Sequence, residues 1–110
     1  MSFQGRHGVR SAERAQPQEF QVDLEVDCDL NRPGRTDRLE DTVDYTRLRT
    51  IAREVVEGEP ANLLETLASR IADRVLGVAG VAAVSVRVAK RPASMQPIEA
   101  AAVHINRTRE

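Results

Sequence analysis

From Phe20 to Leu30 every second side chain is apolar: Phe20, Val22, Leu24, Val26, Cys28 and Leu30, with Gln21, Asp23, Glu25, Asp27 and Asp29 between them. Side chains of an extended chain alternate faces with a period of two, so this stretch collects its apolar groups on one face only as a strand. It predicts a long half-buried strand whose other face is wet or awaits a partner. Asn31-Arg32-Pro33-Gly34 then breaks the strand with turn chemistry.

The rest of the chain changes period. Asp44 caps a predicted helix from Tyr45 to about Glu57, with Tyr45, Leu48, Ile51, Ala52 and Val55 on its apolar stripe and Gly58 ending it. After Pro60, Asn62 is placed to cap a second helix with Leu63, Leu64, Leu67, Ala68, Ile71, Ala72 and Val75 on its buried side, ended by Gly77 and Gly80. Two extended segments follow. Val81 to Lys90 carries Val84, Val86 and Val88 on one face, and Ala100 to Asn106 carries Ala101, Val103 and Ile105, after a loop bounded by Pro92 and Pro97. Phe3 to Val9 reads as a short first strand. The order β-β-α-α-β-β predicts an α+β fold: an antiparallel sheet with both helices on one face.

Composition limits what such a sheet can bury. The chain has 110 residues, enough for one domain over 1–110. Phe3, Phe20 and Tyr45 are its only aromatics, so the core is built from Val, Leu, Ile and Ala. A small core and a charged outer sheet face favour self-association, and closing several sheets edge to edge into a barrel would remove exposed edges. Sixteen basic residues against 17 acidic ones give a net charge of −1, which favours neither nucleic acid nor an anionic membrane as partner. Cys28 is the single cysteine and fits a reducing compartment. No apolar run approaches the roughly 18 residues of a spanning helix, and the polar start lacks a signal-peptide core, so the default location is cytoplasmic. With one Cys and the scattered His7 and His104, an ordinary zinc site is not expected.

Four local patterns then occur in order: Gly5-Arg6-His7-Gly8-Val9 with Ser11-Ala12-Glu13; Asp41-Thr42-Val43-Asp44-Tyr45, preceded by Thr36-Asp37; Asn62-Leu63-Leu64-Glu65; and Val86-Arg87-Val88-Ala89-Lys90. Each is weak alone. In this order, spacing and strand–helix context, the set resembles the dihydroneopterin aldolases of the tunnelling-fold superfamily over about residues 3 to 105. The resemblance implies a β-β-α-α-β-β unit, four copies of which form a barrel ring. Two rings stack into a homo-octamer with active sites between adjacent subunits.

It also implies a reaction: cleavage of 7,8-dihydroneopterin into 6-hydroxymethyl-7,8-dihydropterin and glycolaldehyde, a step of folate synthesis that uses neither metal, Schiff base nor any other cofactor. The dihydropterin ring already carries a C=N bond beside the side chain, so the substrate accepts the electrons itself. The protein has only to bind the pterin, move protons and stabilise the enol-type intermediate.

The site residues follow by position. Glu65 matches the pterin anchor, its carboxylate accepting two hydrogen bonds from the ring's N–H and 2-amino group; by spacing alone, Asn62-x-x-Glu65 is equally a capping box. Leu64 and Val43 match residues that contact the pterin through their backbones. Lys90 matches the catalytic lysine acting through a water on the substrate hydroxyl; by itself it reads as a solvated strand end, although it is the only lysine among the 16 basic residues. Tyr45 matches the tyrosine that reaches the neighbouring subunit's site and handles the proton at the new hydroxymethyl carbon, where plain helix packing is the competing reading. Glu13 matches the carboxylate that holds the catalytic water, whereas its setting between Arg10 and Arg14 reads as solvated surface. His7 is expected in a structural or substrate-side role, His104 at the surface, and Cys28 in the core.

Three departures from the family pattern stand out. The first strand is short, which raises the question whether Met1 is the true start. Arg6 replaces a frequent aromatic, and the loop from Arg91 to Pro97 is less proline-rich than usual. Rival activities are a dihydroneopterin or dihydroneopterin triphosphate epimerase, which shares the intermediate, and a non-catalytic pterin-binding oligomer of the same fold.

Overall fold

The computed structural model describes residues 1–90 and 101–109. The loop from residue 91 to 97, singled out above, lies outside them. The chain forms β1 (Ser2–Gly5), α1 (Ser11–Ala15), β2 (Gln18–Cys28), α2 (Asn31–Thr36), a 3-10 turn (Leu39–Asp41), α3 (Tyr45–Glu57), α4 (Leu64–Leu76), β3 (Val81–Lys90) and β4 (Ala101–Thr108). The strands form one antiparallel sheet in the order β1-β2-β3-β4, and the α+β reading holds.

The alternation of β2 does what its period requires. Phe20 and Val22 are fully buried, Asp23, Glu25 and Asp27 are exposed, and the inward residues Leu24, Val26 and Cys28 are half-buried against the core. Cys28 is therefore at the edge of the core, and Leu30, expected to continue the stripe, is exposed. From β3, Val84, Val86 and Val88 enter the same core, where they meet Leu67, Ile71 and Val75 of α4 and Ile51, Ala52 and Val56 of α3. His104 lies exposed on the wet face, where Arg87 pairs with Asp23 at 3.6 Å.

Three local expectations are corrected. Asn31-Arg32-Pro33-Gly34 opens a short helix, α2, instead of a plain turn. Pro33 sits in the first helical turn, where its missing N–H has no helical partner to lose, and the Asp29 carboxylate accepts the Asn31 N–H at 2.9 Å. Glu13 lies on a helix, α1, that the sequence pattern did not announce. At the start of α4 the cap position is Leu63, not Asn62, so no capping box links Asn62 to Glu65. By contrast Asp44 caps α3 as expected, accepting the Thr46 N–H at 3.0 Å.

Candidate active site

The Gly5-x-His7-Gly8 turn is built around an imidazole. The His7 ring is 2% exposed and packs edge-on to Phe20 with centroids 5.1 Å apart. Its Nε2 lies 2.6 Å from the Val56 carbonyl at the end of α3, and its Nδ1 lies 3.0 Å from the Ala61 amide N–H. A carbonyl can only accept and an amide only donate, so Nε2 carries the proton and Nδ1 is the acceptor. Burial holds the imidazole below its usual pKa, against the Val56 carbonyl, which favours the charged form. Both nitrogens are occupied, so of the two roles expected for His7 the structural one is what the geometry displays.

Two glycines allow this closeness. A Cβ on Gly5 would stand 2.5 Å from the Val56 oxygen and 2.7 Å from the His7 ring. Gly8, at φ +155°, leaves room for Glu13, whose Cβ would be 2.5 Å from a Cβ there. The turn is stapled to the entry of α4. Gly8 N–H donates to Ala61 O at 2.9 Å, and the Arg14 guanidinium donates to Gly8 O, Val9 O and Asn62 Oδ1 at 2.9, 2.6 and 3.2 Å. Sequence reasoning gave Arg14 and Asn62 no such part, since nothing local in either segment signals the other.

The staple brings three elements together. Lys90, at the end of β3, donates from Nζ to Glu13 Oε2 at 2.8 Å, with side chains 12% and 28% exposed. Glu13 Oε1 accepts the Arg10 N–H at 3.2 Å. Lys90 first, and the Arg10 amide second, hold the Glu13 carboxyl below the usual carboxylate range. Neither side chain is the solvated surface residue that its sequence context alone suggests. An ammonium group has three N–H donors, and among the described residues Glu13 takes one of those at Lys90. Glu65 stands exposed in the first turn of α4, two residues past the cap, with no side-chain hydrogen bond or salt bridge among the described residues. Leu64 beside it is half-buried against the core.

Val43 and Tyr45 are elsewhere. The Val43 side chain is 6% exposed and lies against Gly80, just ahead of β3, while Lys90 ends that strand. At about 3.3 Å per residue, β3 separates them by roughly 30 Å. Tyr45 begins α3, whose far end carries Val56 and its bond to His7. Its ring is 81% exposed, which excludes core packing within the chain. The predicted residues thus form two groups at opposite ends of β3: Glu13, Lys90, Leu64 and Glu65 at one, Val43 and Tyr45 at the other.

The family model FolB, dihydroneopterin aldolase, matches residues 1–106. The chain belongs to the dihydroneopterin aldolase family. It is 49% identical over 77 residues to the dihydroneopterin aldolase of Bacillus subtilis, a match covering 70% of this chain and 64% of that protein. With dihydroneopterin aldolase 1 of Arabidopsis thaliana it shares 43% over 76 residues, 69% of this chain and 52% of the relative. The chain thus spans less than two thirds of these two relatives. With the Streptomyces coelicolor dihydroneopterin aldolase the match is 41% over 110 residues, 99% of this chain and 92% of the relative.

Solved structures of the family superpose closely. The Vibrio cholerae FolB protein matches with TM-score 0.92 at 25% identity, over 99% of this chain and 92% of that one. The Escherichia coli dihydroneopterin aldolase, solved in complex with neopterin, matches with TM-score 0.89 at 24% identity, over 96% and 91%.

Proposed function

We propose that this chain is a dihydroneopterin aldolase that cleaves 7,8-dihydroneopterin into 6-hydroxymethyl-7,8-dihydropterin and glycolaldehyde. The observation that carries the reading is the half-buried Lys90–Glu13 pair, at the same end of the sheet as the first turn of α4, where the exposed Glu65 carboxylate has no side-chain partner among the described residues. Glu65 takes the amidine-like edge of the pterin, and the Leu64 backbone supports the ring. Glu13 and Lys90 hold a water against the side-chain hydroxyl next to the scissile bond. Loss of that hydroxyl proton forms the aldehyde carbonyl, the carbon–carbon bond breaks, and its electron pair moves into the ring C=N. The resulting enol-type intermediate takes a proton on carbon, delivered through Tyr45, to give the hydroxymethyl product.

The two-group geometry favours a site shared between copies. Tyr45 lies roughly 17 Å of helix from the Val56 that is bonded to His7, so one chain cannot bring it to its own Lys90, whereas a neighbouring copy can present it. Exposed apolar side chains stand at both ends: Val9 and Leu63 beside the Glu13 group, Leu39 and Tyr45 at the other. A second copy that joins one end to the other covers both patches and completes the site. In this reading the protein is a cytoplasmic homo-octamer of two tetrameric rings.

The test is to incubate purified protein with 7,8-dihydroneopterin and assay glycolaldehyde and 6-hydroxymethyl-7,8-dihydropterin. Release of both, abolished by Lys90→Ala, supports the reading. Formation of only the side-chain epimer would assign an epimerase, and pterin binding with no conversion a non-catalytic pterin-binding protein; either overturns the proposal.

A further inference from the structure

The stretch that delivers Val43 and Tyr45 has little holding it. Neither α2 nor the 3-10 turn contributes a buried residue, and Val43 is the only apolar anchor between Leu30 and Asp44. A segment with so little apolar burial is ordered by polar contacts or frays.

Those contacts converge on Asp41. Its side chain is 6% exposed, whereas that of the facing Arg32 is 72% exposed. Asp41 Oδ1 pairs with Arg32 Nε at 3.0 Å, and Oδ2 accepts from Thr36 Oγ1 at 2.7 Å. Both donors belong to α2, so one carboxylate ties that helix to the turn ending at Asp41. Backbone bonds close the turn, from Asp41 N to Arg38 O and from Thr42 N to Leu39 O, each 3.1 Å. Asp41 also lines a cavity of about 250 Å³ together with Arg32, Val43 and Gly80. Two residues on, Val43 docks into the core; then Asp44 caps α3 and Tyr45 begins it.

A carboxylate removed from water costs free energy unless its oxygens are paired, and here both are. What the arrangement fixes is the entry of α3, and with it Tyr45, which is 81% exposed.

We propose that Asp41 is a positioning residue for the Val43–Tyr45 half of the active site, an inference that rests on the aldolase reading. Asp41 touches no reacting atom; it keeps the Tyr45 hydroxyl where proton delivery requires it. Displacing a catalytic group by about 1 Å costs on the order of a hundredfold in rate.

The experiment compares the full-length wild type with Asp41→Ala, Asp41→Asn and Arg32→Ala by steady-state kinetics on 7,8-dihydroneopterin and by amide hydrogen exchange. Asp41→Ala is expected to lower kcat by about tenfold to a hundredfold with a smaller change in KM, because the pterin anchor lies on the other half-site. Exchange quickens between residues 30 and 45 and not in the sheet. Asp41→Asn, which keeps the size and the Thr36 bond, recovers part of the rate. The Arg32→Ala, Asp41→Ala double variant is no slower than Asp41→Ala alone. A folded Asp41→Ala protein with wild-type kcat overturns the inference. If Asp41→Ala does not fold, Asp41→Asn and Arg32→Ala decide by the same readouts. If the wild type fails to cleave the substrate, it is the functional reading that falls, and exchange still judges Asp41: wild-type protection of residues 30–45 in the variant refutes its role, and selective loss of protection supports it.

Discussion

Lys90 and Glu13, 77 residues apart in the chain, meet at 2.8 Å because β3 ends where the α1 turn is stapled onto the entry of α4. Neither side chain is fully exposed, so the pair is more than a surface ion pair of negligible effect.

Lys90→Ala is expected to reduce glycolaldehyde formation by roughly a hundredfold to ten-thousandfold, the range for a positioned acid–base group. Affinity for neopterin, read by fluorescence titration, changes little because Glu65 is untouched. Wild-type turnover in this variant would remove Lys90 from the mechanism.

Glu65→Ala has the opposite profile. On the proposed assignment it loses two charge-assisted hydrogen bonds to the pterin edge, about 1.5–3 kcal/mol each, so affinity drops by on the order of a hundredfold or more. No described residue relies on Glu65 for a side-chain bond, and the melting temperature is expected to stay close to wild type. Tight neopterin binding by this variant would show that the anchor lies elsewhere.

Stability is expected to depend on pH through His7. Burial lowers its folded pKa, so the unfolded chain binds a proton at about pH 6.5 that the folded chain does not. The contribution is complete above that pH and is lost as pH falls towards the lower folded value. Glu13, also lowered, adds a second loss below the ordinary carboxylate range, as protonation undoes its bond to Lys90. Thermal unfolding from about pH 3 to 8, which runs from more than one unit below the ordinary Glu value of about 4.3 to more than one unit above the ordinary His value of about 6.5, reads this out. His7→Ala should flatten the upper step and cost about 2–4 kcal/mol, since the Val56 carbonyl and the Ala61 amide lose their partner. An unchanged upper step in that variant would assign the pH dependence to another group.

Gly8→Ala tests the turn. Its Cβ would enter the space of the Glu13 side chain at a φ that L-residues avoid, so the helix bearing Glu13 must shift. Turnover is expected to fall by tenfold or more (on the order of the loss from a 1 Å misplacement), while Glu65-dependent pterin binding persists. Equal rates for variant and wild type would mean that Glu13 is not held by this contact.

Much of the frame was legible because its signals are local. The period-two run of β2, the stripes of α3 and α4 except for the exposed Tyr45 and Leu63 at their starts, the ends of both helices, the Asp44 cap and the bounds of β3 all follow from neighbours within a few residues. The same locality explains the misses. Asn62 has the chemistry of a cap, but its side chain is drawn to Arg14, 48 residues away, and the cap falls to Leu63. His7 carries no sign in its own segment that both ring nitrogens will be taken by Val56 and Ala61. Asp41 opens one of the four sequence patterns, but nothing local shows that Arg32 and Thr36 of α2 will take its two oxygens.

Taken alone, then, the sequence determined β2, β3 and the two long helices α3 and α4 and which face of each is apolar, since periodicity and capping act over one or two turns of chain. Only the tertiary structure decided that Lys90 lies against Glu13 while Tyr45 and Val43 stand at the other end of β3. Which distant side chains meet depends on strand register and on how helices seat on the sheet, and these are set by the whole core at once.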